Sequence, residues 1–305
     1  LKYSITVRKV GKVIVAQNRG EEQQLSTLFE RGKANGVSLK ILDAADLPKI
    51  EPLAKTLGSF LWSPNTSISN PVLINAAIRE EIKSQGVRFI SGVDVTINDD
   101  IWFANGKKIN AKYFINAAGA WALDLAHRLG VGLEYRTMPF LGLYKQTTIQ
   151  ELPIRTLVYP VPHPINPFLG VHLTLTIDGS VKIGPSALPI VGRTQYSITS
   201  FPNVNEISNF GKNLISLARG DKHDLAAMMR NEIPKLRTKN LVNAAAKLVP
   251  SVNSVKKWKK KAPGIRGQLI NKNNGELLQD FRIDYIQNST HVLNAVSPGW
   301  TASIP

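Results

Sequence analysis

The run YFINAAGAW, residues 113 to 121, constrains this 305-residue chain more than any other stretch. Its aromatic and β-branched start, Tyr113, Phe114 and Ile115, has the character of a buried strand. That strand runs straight into Ala117, Ala118, Gly119 and Ala120, and a helical pattern, WALDLAHRLG, then closes on Gly130. Tiny side chains between a strand end and a helix start let a large group approach the backbone, and helix N-termini favour anions. Phosphate or a dinucleotide is the usual guest of such a turn, and it normally brings a GxGxxG motif. The nearest approach is Gly130-Val131-Gly132, with Tyr135 where a third glycine would fall. The sequence thus holds one part of a nucleotide site and lacks another.

The surrounding patterns set the fold class. VGKVIVAQ, residues 10 to 17, is a strand pattern, and EEQQLSTLFERGKANG places Leu25, Leu28 and Phe29 on one helical face before Gly36. Asn70 caps a further helix with Pro71 in its first turn, and Val72, Leu73, Ala76 and Ile82 are expected to face inward. VRFISGVDVTI follows as a strand, and Asn105-Gly106 closes a hairpin. Helix, strand, hairpin, strand and helix over 70–130 suit a doubly wound α/β layer with a small antiparallel flap. From 134 to 200 the pattern becomes antiparallel, with a hairpin turn at Asp178-Gly179. Residues 203–250 are helical, and strands return at GIRGQLI, FRIDYI and HVLNAVS. The expected fold is mixed α/β: an incomplete doubly wound layer interleaved with an antiparallel-sheet domain. The expected divisions are 1–66 with the antiparallel domain, 67–133 with the layer, 134–262 antiparallel again, and 263–305 returning to the layer.

Charge and composition exclude some chemistries. Cysteine is absent, which removes disulfides, thiolate metal sites and cysteine nucleophiles. The net charge of +16 attracts anions of any size without choosing among them. Its densest cluster, KKWKKK at 256 to 261, is an edge strand protected by lysines, with a membrane-surface patch as the second reading. No run is long and apolar enough for a membrane span, so a cytoplasmic chain, at most peripheral on a membrane, is expected. His127 and His223 have the setting of helix-surface residues, and His291 that of a strand start.

Three stretches carry chemistry together. They are INAAGAWALDLA; YPVPHPINPFLGVHLT at 159 to 174 with GSVKIGP; and PGIRGQLINKNNGELLQDF with HVLNAVSPGWTAS. Their Tyr-Pro-Val-Pro, Pro-Phe-Leu-Gly-Val-His, Pro-Gly-Ile-Arg and Asn-Ala-x-Ser-Pro runs, in that order, resemble the L-2-hydroxyglutarate oxidase/dehydrogenase family. These are FAD-dependent flavoproteins of the D-amino-acid-oxidase-like superfamily. The resemblance covers nearly the whole chain; any one motif is weak, and four in order are specific.

The resemblance implies FAD as cofactor. In that family the GxGxxG unit lies at the N-terminus, so these residues are expected to be a fragment. Upstream of Leu1 a strand, a GxGxxG, a helix and an acidic residue ~20 positions on are expected, and past Pro305 the rest of a helix begun near Trp300. Val93, Ala117, Ala118, Gly119 and Trp121 would form one wall of the FAD site. Ser297, Pro298, Gly299 and Thr301 would form the far wall, where a helix N-terminus favours negative charge on the reduced ring. One loop departs from the family: Ser67-Ile68-Ser69-Asn70-Pro71 stands where Gly-x-Val-Asp-Pro is usual, and the cap survives in Asn70.

For the chemistry, the resemblance implies oxidation of an L-2-hydroxy acid, L-2-hydroxyglutarate foremost, to the 2-oxo acid. His172 would be the base, Arg266 with Lys145 would hold carboxylate, and Tyr159 and Tyr144 would touch substrate. Arg266 also stands out by itself, since an inward arginine in a strand with few charges needs an anionic partner. Plainer readings stand beside these: a satisfied core histidine, a structural salt bridge, and tyrosines that merely line the sheet. The alternative functions are a related flavin oxidoreductase acting on an amino acid or glycerol phosphate, and a non-catalytic basic binding fragment. The expected partners are a small anionic hydroxy acid and an electron acceptor (quinone, electron-transfer protein or oxygen), with no nucleic acid and no metal.

Overall fold

The computed structural model describes residues 3–162, 168, 170–196, 202, 204–220 and 225–295. The chain forms two compact units. Unit 1 is Leu1–Arg88, Leu143–Ala187 and Asn231–Pro263; unit 2 is Phe89–Gly142, Leu188–Arg230 and Gly264–Pro305. Two of the passages fall inside strands, Tyr135–Thr148 and Lys259–Asn271. The first break thus lies at 88/89 rather than 66/67, and 188–230 groups with unit 2 rather than with the antiparallel sheet.

Unit 1 is built on one sheet. Its strands run, in spatial order, from the second half of Tyr135–Thr148 through Ser180–Gly184, His172–Leu175, Leu157–Pro160, Lys12–Val15 and Ser59–Ser63 to Lys40–Asp43. All neighbours are antiparallel except Leu157–Pro160 and Lys12–Val15, which pair in parallel with Val158 opposite Val13. Asp178-Gly179 makes the expected turn, Gly179 taking a φ of 76° that favours glycine. Alternation sends Val13, Val15, Val158, Leu173, Leu175, Val181 and Ile183 to one face. There they pack on Leu241, Ala245, Leu248, Val249 and Val252 from the helix Thr238–Ala246 and the turn after it. Each fully buried aliphatic side chain of this layer contributes about 1.5–3 kcal/mol. Trp258 of the lysine cluster packs on the same core, while Lys256, Lys257 and Lys259 to Lys261 are exposed. On the other face, the helix Arg19–Ala34 covers one end through Leu25 against Ala16, Leu61 and Val161.

The helix Pro71–Ser84 starts as expected, with the Asn70 side chain accepting from the amides of Val72 and Leu73. Its apolar residues do not face inward. Val72 is 72% and Leu73 50% exposed, and the helix has no buried residue, because no described element packs over its apolar face. The strand expected over 87–97 is also shorter, Val95–Asn98. Among the described residues, no helix is long and apolar enough to cross a membrane.

Unit 2 contains a three-stranded sheet in the order Arg282–Ile286, Ser289–Asn294, Phe114–Asn116, the last two parallel. The helix Ala122–His127 packs its Ala122, Leu123 and Ala126 against Leu269 and Leu293. The flap is Val95–Asn98, Ile101–Ala104 and Lys107–Lys108, turned at Asn105 (φ 46°) and Gly106 (φ 76°). Trp102 of the flap stacks on Phe114, with ring centres 4.6 Å apart.

Glu51, in unit 1, is a fully buried carboxylate. It accepts from the amides of Arg155 at 2.5 Å, Thr156 at 2.9 Å and Leu53 at 3.3 Å. Burial pushes its pKa up, and the amides pull it back toward the charged form. Glu51→Ala strips three amides, that of Thr156 buried, of their acceptor and is expected to cost ~2–4 kcal/mol in urea denaturation. Glu51→Gln keeps one acceptor oxygen and should cost less; equal losses would mean the amides are not what Glu51 stabilises.

Candidate active site

The outer face of unit 1, beyond the end that the helix Arg19–Ala34 covers, gathers the titratable groups. His172 and Tyr159 stack with ring centres 4.0 Å apart and 19° between planes. Thr174 hydrogen-bonds Tyr159 and lies opposite Lys182 on the next strand. Lys12, two residues before Ile14, which pairs with Tyr159, sets its ammonium 5.4 Å from the Tyr159 ring centre. Tyr144 packs on Gly184, the register partner of His172; a Cβ at Gly184 would lie 2.9 Å from the Tyr144 ring.

The electrostatics of this face follow from burial. His172 Nδ1 lies 3.0 Å from the Gly170 carbonyl. A carbonyl only accepts, so Nδ1 carries the proton and Nε2 keeps its lone pair. Burial, and then the Lys12 charge, lower the His172 pKa to about 4, against the Gly170 bond, which raises it. His172 is therefore neutral near pH 7. Burial lowers the Lys12 pKa, and burial followed by the Lys261 charge lowers that of Lys182. Burial raises the hydroxyl pKa of Tyr159 and of Tyr144. The result is a neutral base and two hydroxyl donors beside two partly buried cations, a set suited to an anion with a transferable proton.

The glycine-containing turn is built in unit 2. Gly119 holds a φ of 59°, and a Cβ there would meet nothing within 4 Å. Ala117, Ala118 and Gly119 are exposed, as is Trp121 at 47%. A polar relay beneath them fixes the turn. The Ala118 amide donates to Asn116 Oδ1, and Asn116 Nδ2 donates to the Ala122 carbonyl and to His291 Nδ1. His291 Nε2 then donates to Ser289 Oγ, which donates to the Ile286 carbonyl. Every member has a partner, so the imidazole is neutral and its tautomer is set; burial lowers its pKa in the same sense. From the far side, Gly267 presses on Ala120, where a Cβ would sit 2.9 Å from the Ala120 Cβ.

Of the residues expected from sequence, His172, Tyr159 and Tyr144 come together. Lys145 does not join them: it pairs with core-facing Ile183, so it lies on the opposite face from Tyr144. Ala117, Ala118, Gly119 and Trp121 form the exposed turn. Val93 is half-buried in the loop before the flap, on no shared element with them. Arg266 lies in unit 2, half-buried, its pKa lowered by burial. Ser297, Pro298, Gly299 and Thr301, like His223, lie outside the described residues. Sequence reasoning missed Lys12, whose signal was a lone cation alternating with Val13 and Val15. It also missed His291, which is fully buried and two residues inside its strand rather than at its start.

A family model described as FAD dependent oxidoreductase matches residues 1–305. The chain is 30% identical over 306 residues to the L-2-hydroxyglutarate dehydrogenase of Salmonella houtenae, covering 97% of this chain and 70% of the relative. It is 29% identical over 330 residues to the mitochondrial L-2-hydroxyglutarate dehydrogenase of Homo sapiens, covering 98% and 69%. Among solved structures it is similar to the dithionite-reduced L-alpha-glycerophosphate oxidase of Mycoplasma pneumoniae with FAD bound (TM-score 0.67, 21% identity, 98% and 71% covered). It is also similar to glycine oxidase from Geobacillus kaustophilus (TM-score 0.66, 15% identity, 99% and 70% covered), which shows a shared fold. The chain belongs to the FAD-dependent oxidoreductase family, with FAD as its cofactor.

The turn 117–121 fits such a cofactor as a wall. Its backbone is open where a side chain at Gly119 would project, and its shape is held from beneath. Gly119→Val would fill that space and force a β-branched residue to positive φ, so bound FAD, read from flavin absorbance per protein, should fall markedly. A stoichiometric yellow variant would remove Gly119 from the wall. The neutrality of His172 gives a second test. Folded protein takes up its proton only near pH 4, whereas an unfolded histidine does so near 6.5, so the folded state binds fewer protons between these values. Stability should therefore fall as pH drops from 6.5 toward 4, by up to about 3 kcal/mol. His172→Phe keeps the stack and should lose that slope in thermal melts; parallel melts would show His172 to be exposed to protons.

Proposed function

We propose that this chain oxidises a small L-2-hydroxy acid, with L-2-hydroxyglutarate as its substrate, to the 2-oxo acid. The observation that carries the reading is the neutral His172 with its Nε2 lone pair, held by the Gly170 carbonyl beside Lys12. The relatives named L-2-hydroxyglutarate dehydrogenase support the substrate. Bound FAD supplies the two-electron oxidant for the carbinol C–H.

The chain's own residues do the rest. His172 Nε2 accepts the hydroxyl proton as the carbonyl forms. Lys12 and Lys182 attract and orient carboxylate, and the Tyr159 and Tyr144 hydroxyls donate to substrate oxygen. Arg266, in unit 2, is proposed to hold an anionic partner on its side-chain chemistry alone. The electrons pass on to an acceptor, a quinone, an electron-transfer protein or oxygen. The exposed lysines of KKWKKK support a peripheral contact with an anionic membrane surface.

Steady-state kinetics on the FAD-loaded protein test the assignment. His172→Gln should lower kcat ~100-fold or more with KM little changed. Lys12→Met should mainly raise KM, by about ten-fold or more. Near wild-type turnover in His172→Gln would return His172 to a packing role. Faster turnover of glycerol phosphate or amino acids than of L-2-hydroxyglutarate would sink the substrate reading.

A further inference from the structure

Unit 2 contains a cavity of about 210 Å³ that the proposed reaction does not use. It lies among the helix Ala122–His127, the helix Val204–Arg219 and the first residues of the strand Tyr135–Thr148. No residue of the turn 117–121 lines it, and it is smaller than the roughly 300–1,000 Å³ typical of drug-sized sites.

Its two ends differ in charge. At one end Arg193 is consumed, paired with Asp124 at 2.6 Å and donating to the Ala120 carbonyl at 2.8 Å, with Glu206 nearby against Gly192. At the other end two cations meet neutral oxygens. Arg136 donates to Ser216 Oγ at 3.1 Å, and Lys272 donates to the Leu133 carbonyl. Arg136 and Lys272 are close enough to repel, which Glu134 only partly offsets. One helical turn before Ser216, Asn213 also lines the cavity. It is 1% exposed, its Nδ2 donates to the Thr137 carbonyl at 3.0 Å, and its Oδ1 is buried with no hydrogen-bond partner. A buried amide oxygen left without a donor calls for one.

We propose that Arg136, Lys272 and Asn213 form a binding site for a small anion that carries its own O–H group, hydrogen phosphate or a small hydroxycarboxylate. The two cations take the charged oxygens, and Asn213 Oδ1 accepts the ligand's O–H. Acetate and chloride supply the charge without the donor.

The test is thermal and calorimetric titration of the FAD-loaded protein with inorganic phosphate, glycolate and acetate, at ionic strength fixed with chloride. Phosphate or glycolate should raise Tm beyond chloride, and acetate should do so far less; whichever of the first two binds more tightly identifies the ligand class. Arg136→Gln and Lys272→Gln should each weaken binding about ten-fold or more. Arg136→Lys keeps the charge and should retain binding within a few-fold, which also shows that the position tolerates change. The proposal fails if neither anion shifts Tm beyond chloride, or if the shift survives both glutamine variants. It fails equally if Lys182→Gln on the unit 1 face abolishes the shift instead.

Discussion

Strand alternation in the unit 1 sheet is the constraint on which the chemistry rests. Val13, Val158, Leu173, Val181 and Ile183 must share one face, because a helix covers that face and excludes water. Once they do, Lys12, Tyr159, His172, Thr174 and Lys182 have no choice but the other face. A slip of one residue between His172–Leu175 and Ser180–Gly184 would bury Lys182 and expose Ile183. The hydrophobic term therefore fixes the register, and the register assembles the polar set. Stability and chemistry are coupled here through one geometric parity.

Polar groups inside each unit obey a stricter rule. Glu51 and the Asn116–His291–Ser289 relay are buried, and each member that needs a partner has one. Such networks contribute little net stability but penalise any other arrangement heavily. In unit 2 the relay holds a turn whose upper surface makes few contacts of its own. An exposed wall of small residues can keep its shape only if something beneath dictates it. Asn116 does so by binding both ends of the turn, and the neutral His291 tautomer keeps Asn116 in its orientation.

Much of this was legible in the sequence where local chemistry decides the outcome. Asn70 capping, the Asn105-Gly106 and Asp178-Gly179 turns, and the small-residue run 117–120 each act within a few residues, and each forms as expected. The candidate site was only half legible. His172 and Tyr159 could be named, but their stack depends on antiparallel pairing between separated strands. Lys12 and Lys145 show the limit most clearly. Both are lysines in strands, and only the register, set by distant partners, puts one beside His172 and the other behind it. The helix Pro71–Ser84 misled for a related reason: amphipathic periodicity says that a face can be buried, not that something covers it. Unit boundaries inside continuous strands leave no compositional mark.

The pairing of His172 with Lys12 also resolves an apparent conflict in the proposed chemistry. A base whose pKa lies near 4 is weak, and a general base works best when its pKa is near the working pH. Burial causes most of that weakness, and the Lys12 charge adds to it. A carboxylate bound at Lys12 neutralises that charge and adds one of the opposite sign nearby. Both changes favour imidazolium, so His172 becomes a stronger base only when substrate is present. By linkage the reverse must hold: a protonated His172 strengthens anion binding by the same free energy. In the proposed chemistry the free protein keeps a half-buried neutral ring, and the substrate's own charge would convert that ring into a proton acceptor.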